Sequence, residues 1–457
     1  MAVIKLLREL LKLRENQTKT KSEIKNLQNE KLRKLLSFAY QNSPYYRKAF
    51  EKAGVTEENL GTISLSDLPT INKTTLLEQF DDVITTSDIT QNEMRVFDKE
   101  EKISKKVLKN QYHVVHSSGS TGIPSYFLYD ETAWNQMLIG IIRGALWNMT
   151  ISQIFKLLLK DPRIAYLAAT DGRYGGVMAV SDGIEGLRAK EIQLDVNQPT
   201  EEWICKIREF QPNIIIGYPS AIKILSELVQ QGKVRVNPVR VISCGEPLDL
   251  GLRNYLEDVF QVPLINFYGA SESLAIGVEA SKEEGMVLFD DMNIIESIDG
   301  KMYLTCLYNY AMPLIRYEIT DSIDIEQAKE TDSCPFSRVT GLIGRNEDIL
   351  WFTDKDGKRE FLHPLAVEGM CIENLKDYQF HQVGEQEFEL FAEVEKDSER
   401  RIVCREIQKE LSRILSEKGL EFVRYQIRFV DTIAPNSKTG KKQLILIDSC
   451  GTEAIAI

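Results

Sequence analysis

Apolar positions at the start of the chain follow a helical period. Within residues 2–14, AVIKLLRELLKLR, the side chains of Ile4, Leu7, Leu10 and Leu11 share one broad stripe, which predicts an amphipathic basic helix. Lys and Arg outnumber Glu from here to about Lys52. Such a stripe suits a membrane surface or a partner, and it equally suits packing on the chain's own domain. A second helical pattern over 32–53 is interrupted at Ser43-Pro44-Tyr45-Tyr46-Arg47, because proline has no N–H to continue the ladder. Tyr126-Phe127-Leu128-Tyr129 reads as a strand, and from residue 131 helices and strands alternate. Helices are predicted over 134–147, over 201–210, after Pro219 (Ala221, Leu225, Leu228, Val229) and around Leu252, Tyr255, Leu256 and Val259. Strands are predicted over 163–168, 213–217, 239–242 and 263–267. That alternation predicts an α/β fold with a mainly parallel sheet, its active loops lying beyond the carboxyl ends of the strands.

After about Asn293 the pattern changes to short strands and turns, ending at Arg316-Tyr317-Glu318-Ile319-Thr320-Asp321. Beyond Gly344-Arg345-Asn346-Glu347-Asp348 lies a smaller α+β pattern. It has strands over 388–394 and 422–430 and a helix face of Val403, Ile407, Leu411 and Ile414. A polar loop over 435–442 follows. The predicted boundary falls near Arg345, dividing the chain into 1–344 and 345–457.

Charge and composition narrow the field without deciding it. The 457 residues carry a formal net charge of -12, so no basic excess is available for general nucleic-acid binding. The cysteines (Cys205, Cys244, Cys306, Cys334, Cys371, Cys404, Cys450) form no CxxC pair, and His113, His116, His363 and His381 form no HExxH cluster. No apolar run is long enough to cross a bilayer, and the expected setting is the cytoplasm.

Chemistry enters with His116-Ser117-Ser118-Gly119-Ser120-Thr121-Gly122-Ile123-Pro124. Small hydroxyl residues and glycines leave backbone N–H groups uncovered, and such a turn can wrap its amides round an anion while its hydroxyls add donors. The Lys-Ser/Thr pair of the nucleoside-triphosphatase loop is absent. Two further loops fall at predicted strand ends: Ser243-Cys244-Gly245-Glu246-Pro247 and Tyr268-Gly269-Ala270-Ser271-Glu272.

In this order the motifs resemble those of the adenylate-forming superfamily, the acyl- and aryl-CoA synthetases, and within it the phenylacetate–CoA ligase and CapK-like branch. SSGSTG is similar to the family's phosphate loop, and CGEPL with NFYGASES to its adenine-site pair. MPLIRYEITD resembles the RY-x-TGD segment, GRNEDIL the inter-domain hinge, HPLAVE the segment after it and KTGKKQ the terminal Gly-Lys. SPYYRKAFEKAG and DLPTINKTTL also look like this branch.

The resemblance implies a large N-terminal adenylation domain with a short-strand, barrel-like subdomain and a small mobile C-terminal domain. It implies that Ser117, Ser118, Gly119, Ser120, Thr121 and Gly122 hold the ATP phosphates. Tyr268, with Gly269 and Ser271 beside it, would meet the adenine, and Gly245, Glu246 and Pro247 would wall the base pocket. Glu272 would bind Mg2+, Asp321 the ribose hydroxyls, and Arg345 the ribose and phosphate. Lys441, with Lys438 and Lys442 as rivals, would reach the α-phosphate. Glu347 would sit at the pivot of the domain swing. The implied activity is ATP- and Mg2+-dependent conversion of a carboxylic acid to an acyl-adenylate, with transfer to CoA or another thiol or amine. Two other readings stay open: an adenylyltransferase that leaves AMP on an acceptor, and a non-catalytic nucleotide-binding scaffold of a biosynthetic assembly. Three departures bear on these. Ile123 stands where many relatives have Lys, Ile319-Thr320 replace Thr-Gly, and only Cys334 remains of a Cys-rich segment, so no metal is expected there. Trp134, Met137, Trp147 and Tyr166 are candidates for an acyl pocket or for core. A homodimer is compatible with the aromatic-rich N-terminal helices.

Overall fold

The computed structural model describes residues 3–99, 107–117, 125–159, 161–169, 178–179, 189–246, 248, 250–281, 284–298, 301–319, 321–343, 350–354, 356–357, 359–362, 367, 370, 372–395, 397–433 and 444–447. Helices come first: α1 (Val3–Glu15), α2 (Lys21–Asn42), α3 (Pro44–Lys52), α4 (Lys73–Glu78), α5 (Phe80–Val83) and α6 (Gln91–Lys99). The predicted helix over 32–53 is two helices, and the first begins well upstream. Thr20 starts it with a reciprocal cap: the Glu23 N–H donates to the Thr20 hydroxyl and the Glu23 carboxylate accepts from the Thr20 N–H at 2.7 Å. Pro44 then opens α3 at the one position where a missing N–H costs nothing, and the Ser43 hydroxyl caps it by accepting from Tyr46 N–H.

Next come β1 (Tyr112–His116), β2 (Tyr126–Asp130), α7 (Glu131–Ala145), α8 (Ile151–Leu159), β3 (Arg163–Ala168) and β4 (Lys190–Asp195). They are followed by α9 (Thr200–Phe210), β5 (Ile214–Gly217), α10 (Pro219–Gln230), β6 (Arg240–Cys244), α11 (Leu250–Phe260) and β7 (Leu264–Ala270). The short-strand region holds β8 (Ser273–Glu279), β9 (Met286–Leu288), β10 (Asn293–Ile298), β11 (Lys301–Cys306), β12 (Tyr317–Ile319), β13 (Ser322–Glu326) and β14 (Arg338–Ile343). The remainder is β15 (Leu350–Thr353), β16 (Arg359–Leu362), β17 (Leu375–Gly384), β18 (Glu387–Val394), α12 (Arg400–Lys418), β19 (Arg424–Phe429) and β20 (Ile445–Ile447).

The central sheet has nine strands in the order β13-β14-β9-β8-β7-β6-β5-β3-β4. From β4 to β7 every pairing is parallel, as the alternation predicts, and from β7 outward every pairing is antiparallel. The change of direction at β7–β8 is made by a tight turn through Ser271 and Glu272. A separate four-stranded sheet, β19-β18-β17-β20, carries α12.

The N-terminal stripe has a partner within the chain. Leu10 of α1 is buried against Ile139 and Ile142 of α7, and Arg14 donates to the carbonyls of Leu146 and Met149 at 3.0 and 2.6 Å. Below it Arg143 and Asp291 form a fully buried pair at 2.7 and 2.9 Å, Asn16 donates to the same carboxylate, and Phe289 stacks on the guanidinium at 4.2 Å. Burial alone would raise the Asp291 carboxyl, but Arg143, Lys31 and Asn16 together outweigh it and the group ends below its usual range. Among the described residues no helix is long and apolar enough to cross a membrane.

Candidate active site

The hydroxyl- and glycine-rich stretch is the connection of an antiparallel hairpin. β1 and β2 pair from Tyr112↔Asp130 to His116↔Tyr126. Ser117 extends the neck: its N–H donates to the Ser125 carbonyl at 2.9 Å, and its hydroxyl accepts from the Ser125 N–H at 3.1 Å. Ser118, Gly119, Ser120, Thr121, Gly122 and Ile123 lie outside the described residues, as do Pro247, Thr320, Arg345, Glu347, Lys438, Lys441 and Lys442.

The second loop follows β6. Gly245 has φ +82°, and a Cβ there would stand 2.7 Å from the Tyr218 ring, so glycine is demanded twice over. The Glu246 carboxylate accepts from Ser220 N–H at 3.2 Å, in the first turn of α10, where a negative charge is favoured. Burial pushes the neighbouring Cys244 thiol up to about 12, so it stays protonated.

The third loop is the β7–β8 turn. A Cβ on Gly269 would lie 2.4 Å from the Leu274 carbonyl oxygen, which only glycine permits at this bulge. The Tyr129 hydroxyl, reaching from β2, donates toward the carbonyls of Ser271 and Glu272 at 2.9 and 3.0 Å. The Ser271 hydroxyl in turn donates to the His116 carbonyl at 3.2 Å. The turn is therefore pinned to both strands of the hairpin, and the half-buried Glu272 side chain sits beside Tyr129 and Tyr268. Asp321, between β12 and β13, accepts from the Tyr268 hydroxyl at 2.8 Å. Burial and then the Asp321 carboxylate hold the Tyr268 phenol well above its usual value, so it remains a neutral donor.

Ser117, Tyr268, Ser271, Glu272 and Asp321 thus come together at one end of the sheet, with Gly245 and Glu246 just beyond the end of the adjoining strand β6. Sequence reasoning missed the groups that hold them there. Tyr129 carries no signal beyond a strand pattern. Arg316, read only as motif text, donates to Glu296 at 3.0 Å and to the carbonyls of Ser66 and Leu68 at 2.9 and 2.6 Å, anchoring the segment before Asp321. The acyl-pocket candidates pack as core: Trp134, Met137 and Tyr166 are buried, His113 stacks on Trp134 at 4.3 Å, and Trp147 stacks on Phe289 at 5.7 Å.

No family model matches the chain. Phenylacetate-coenzyme A ligase of Aromatoleum evansii is 25% identical to it over 384 residues, 78% of this chain and 77% of that protein. Protein CapK of Staphylococcus aureus is 21% identical over 453 residues, 93% of this chain and 89% of that one. Among solved structures, 2-hydroxyisobutyryl-CoA ligase in complex with 2-HIB-AMP and CoA in the thioesterification state aligns over 95% of this chain and 91% of its own at TM-score 0.62 and 19% identity.

The chain has the adenylate-forming fold.

Against that adenylate-forming fold, Glu272 can be tested as a magnesium ligand. Its half-buried side chain carries a hard carboxylate near Tyr129 and Tyr268, and among the described residues no three His, Cys, Asp or Glu groups converge into a protein-only cage. One carboxylate completed by substrate phosphates and water is the arrangement Mg2+ favours. The donor set fits.

Proposed function

We propose that this chain activates a carboxylic acid with ATP, forming an acyl-adenylate and releasing pyrophosphate, and then passes the acyl group to CoA or another thiol or amine. The observation that carries this reading is the hydrogen-bonded chain Tyr129–Ser271/Glu272–His116 together with Tyr268–Asp321, which links the hairpin neck, the adenine-site turn and the ribose-site aspartate.

In the first step a carboxylate oxygen attacks the α-phosphorus and pyrophosphate leaves. Two unit negative charges about 4 Å apart repel by roughly 4 kcal/mol at an effective dielectric near 20, so the site's task is to hold both anions and supply positive potential. On this reading Ser117 and the loop over 118–122 cradle the phosphates with amides and hydroxyls. Tyr268 covers the adenine while its hydroxyl orients Asp321 toward the ribose, and Gly245, Glu246 and Pro247 wall the base. Arg345 contacts the ribose and phosphate. Glu272 would hold Mg2+, whose charge, when bound, offsets that of the phosphates. Lys441 brings a cation to the oxygens shared by the acid and the α-phosphate. The boundary at 344/345 belongs to this reading; it is supported by a hydrophobic cluster drawn from Leu350 onward. Glu347 would be the pivot of a domain swing between the two steps.

Pyrophosphate exchange against a panel of aryl, fatty and hydroxy acids tests the proposal. Exchange that depends on one acid class supports it. AMP left covalently on an acceptor would make the protein an adenylyltransferase, and ATP binding without exchange on any acid would make it a scaffold.

A further inference from the structure

The hairpin neck is held by a side chain from outside the motif. Asp98, on the last turn of α6, lies between the two residues that close the β1–β2 ladder. His116 Nδ1 stands 3.0 Å from both Asp98 carboxylate oxygens, and the Tyr126 hydroxyl donates to Oδ2 at 3.2 Å. A carboxylate only accepts, so His116 carries the proton on Nδ1. His116 and Tyr126 are directly paired across the hairpin, so their side chains leave the same face, and one carboxylate reaches both. The pair is sheltered, with the Asp98 and His116 side chains 13% and 14% exposed. α6 itself is rooted by Met94 and Phe97 in the core that includes Tyr126.

We propose that Asp98 is a positioning residue for the nucleotide: by tying His116 and Tyr126 together it fixes the neck from which Ser117 and the phosphate loop project. The proposal rests on the reading of that loop as a phosphate cradle. Backbone amides bind an anion well only when the chain leading into them is fixed. Here the Ser117–Ser125 bonds hold the backbone, Ser271 holds the His116 carbonyl, and Asp98 holds the two side chains. His116 has a second consequence. Its Nδ1–H satisfies a sheltered carboxylate at the neck from which the proposed phosphate loop projects.

ATP affinity measured by calorimetry on the full chain tests this, because it reads the cradle whether or not any acid is activated. Asp98→Ala is expected to weaken ATP about tenfold and Tyr126→Phe about threefold, because the first removes both bonds to the carboxylate and the second only the longer one, at 3.2 Å. The KM for the acid and the melting temperature should stay close to wild type. His116→Gln leaves the sheltered Asp98 carboxylate with Tyr126 in place of two donors, so it should weaken ATP more than the double variant His116→Gln/Asp98→Asn, which also removes the carboxylate charge. ATP affinity unchanged in folded Asp98→Ala, or additive effects of His116→Gln and Asp98→Asn, would overturn the proposal. Should Asp98→Ala fail to fold, Asp98→Asn and Tyr126→Phe decide in its place, with unchanged affinity in both counting against it. Wild type that binds ATP but exchanges no pyrophosphate removes the ligase reading and leaves this proposal standing. Wild type that binds no ATP removes both.

Discussion

At the scale of single residues, Tyr268 does two jobs with one ring. Its face is the proposed adenine platform, and its hydroxyl fixes Asp321 at 2.8 Å. Tyr268→Phe separates them: stacking stays and the hydrogen bond to a charged acceptor goes, about 1.5 kcal/mol or roughly tenfold in the KM for ATP. Measured against the acid, KM should not move; an equal rise in both would mean that the hydroxyl supports the whole site and not the ribose end. Lys441 has a different proposed role, that of meeting charge that develops only as the bond forms. Lys441→Ala is therefore expected to lower acyl-adenylate formation by a hundredfold or more, about 3 kcal/mol, while ATP still binds. Near-normal pyrophosphate exchange in that variant would move the role to Lys438 or Lys442.

Elements show how much the sequence could reveal and where it fell silent. The strands β3, β5, β6 and β7 are short apolar runs between helices, and their starts follow from periodicity to within a residue, while β6 and β7 run two and three residues further than expected. β4 was not anticipated because Lys190, Glu191, Gln193 and Asp195 make it largely polar, as befits the edge of the sheet. β1 escaped notice because its neighbours are a polar run and a loop, and only pairing with β2 defines it. The motif residues could be read as letters, but not their supports: Tyr129, Arg316 and Asp98 lie far from the motifs or carry no pattern. The same holds for the anchoring of the N-terminal helices. α1 was open to a membrane or a domain, and its apolar stripe lies on α7 above the Arg143–Asp291 pair. Arg143→Ala should leave Asp291 buried beside only Asn16 and Lys31, at a cost of about 3 to 5 kcal/mol. Urea unfolding followed by tryptophan fluorescence would register it; a loss under about 1 kcal/mol would show that the site relaxes or hydrates.

Across the whole molecule, the proposed C-terminal unit meets the rest at a buried lysine. Lys418 ends α12 fully buried, and its ammonium donates to the Val196 carbonyl at 2.6 Å and to that of Gln198. It lies 3.6 Å from Glu360 and 3.8 Å from the Phe361 ring centre. Glu360 also accepts from the N–H and hydroxyl of Thr200, both at 3.1 Å, so the same carboxylate caps α9. Phe361, from the C-terminal side, packs into the core formed by α9, α10 and the parallel strands. Burial pushes the Lys418 ammonium down to about 8, and Glu360, Asp195 and Glu202 recover part of the loss. Released into water, the same lysine would titrate near 10.4. Between those values the docked form holds fewer protons than the released form, so docking strengthens as pH rises from about 8 to about 10.4 and is flat below. The full swing is about 3 kcal/mol at most. Lys418→Met should remove the pH dependence and still dock, because a similar apolar volume fills the site and Glu360 keeps its two bonds to Thr200. Small-angle scattering across this pH range reads the released fraction. A profile that is flat in wild type, or equally steep in Lys418→Met, would mean that the contact does not govern how the C-terminal unit is held.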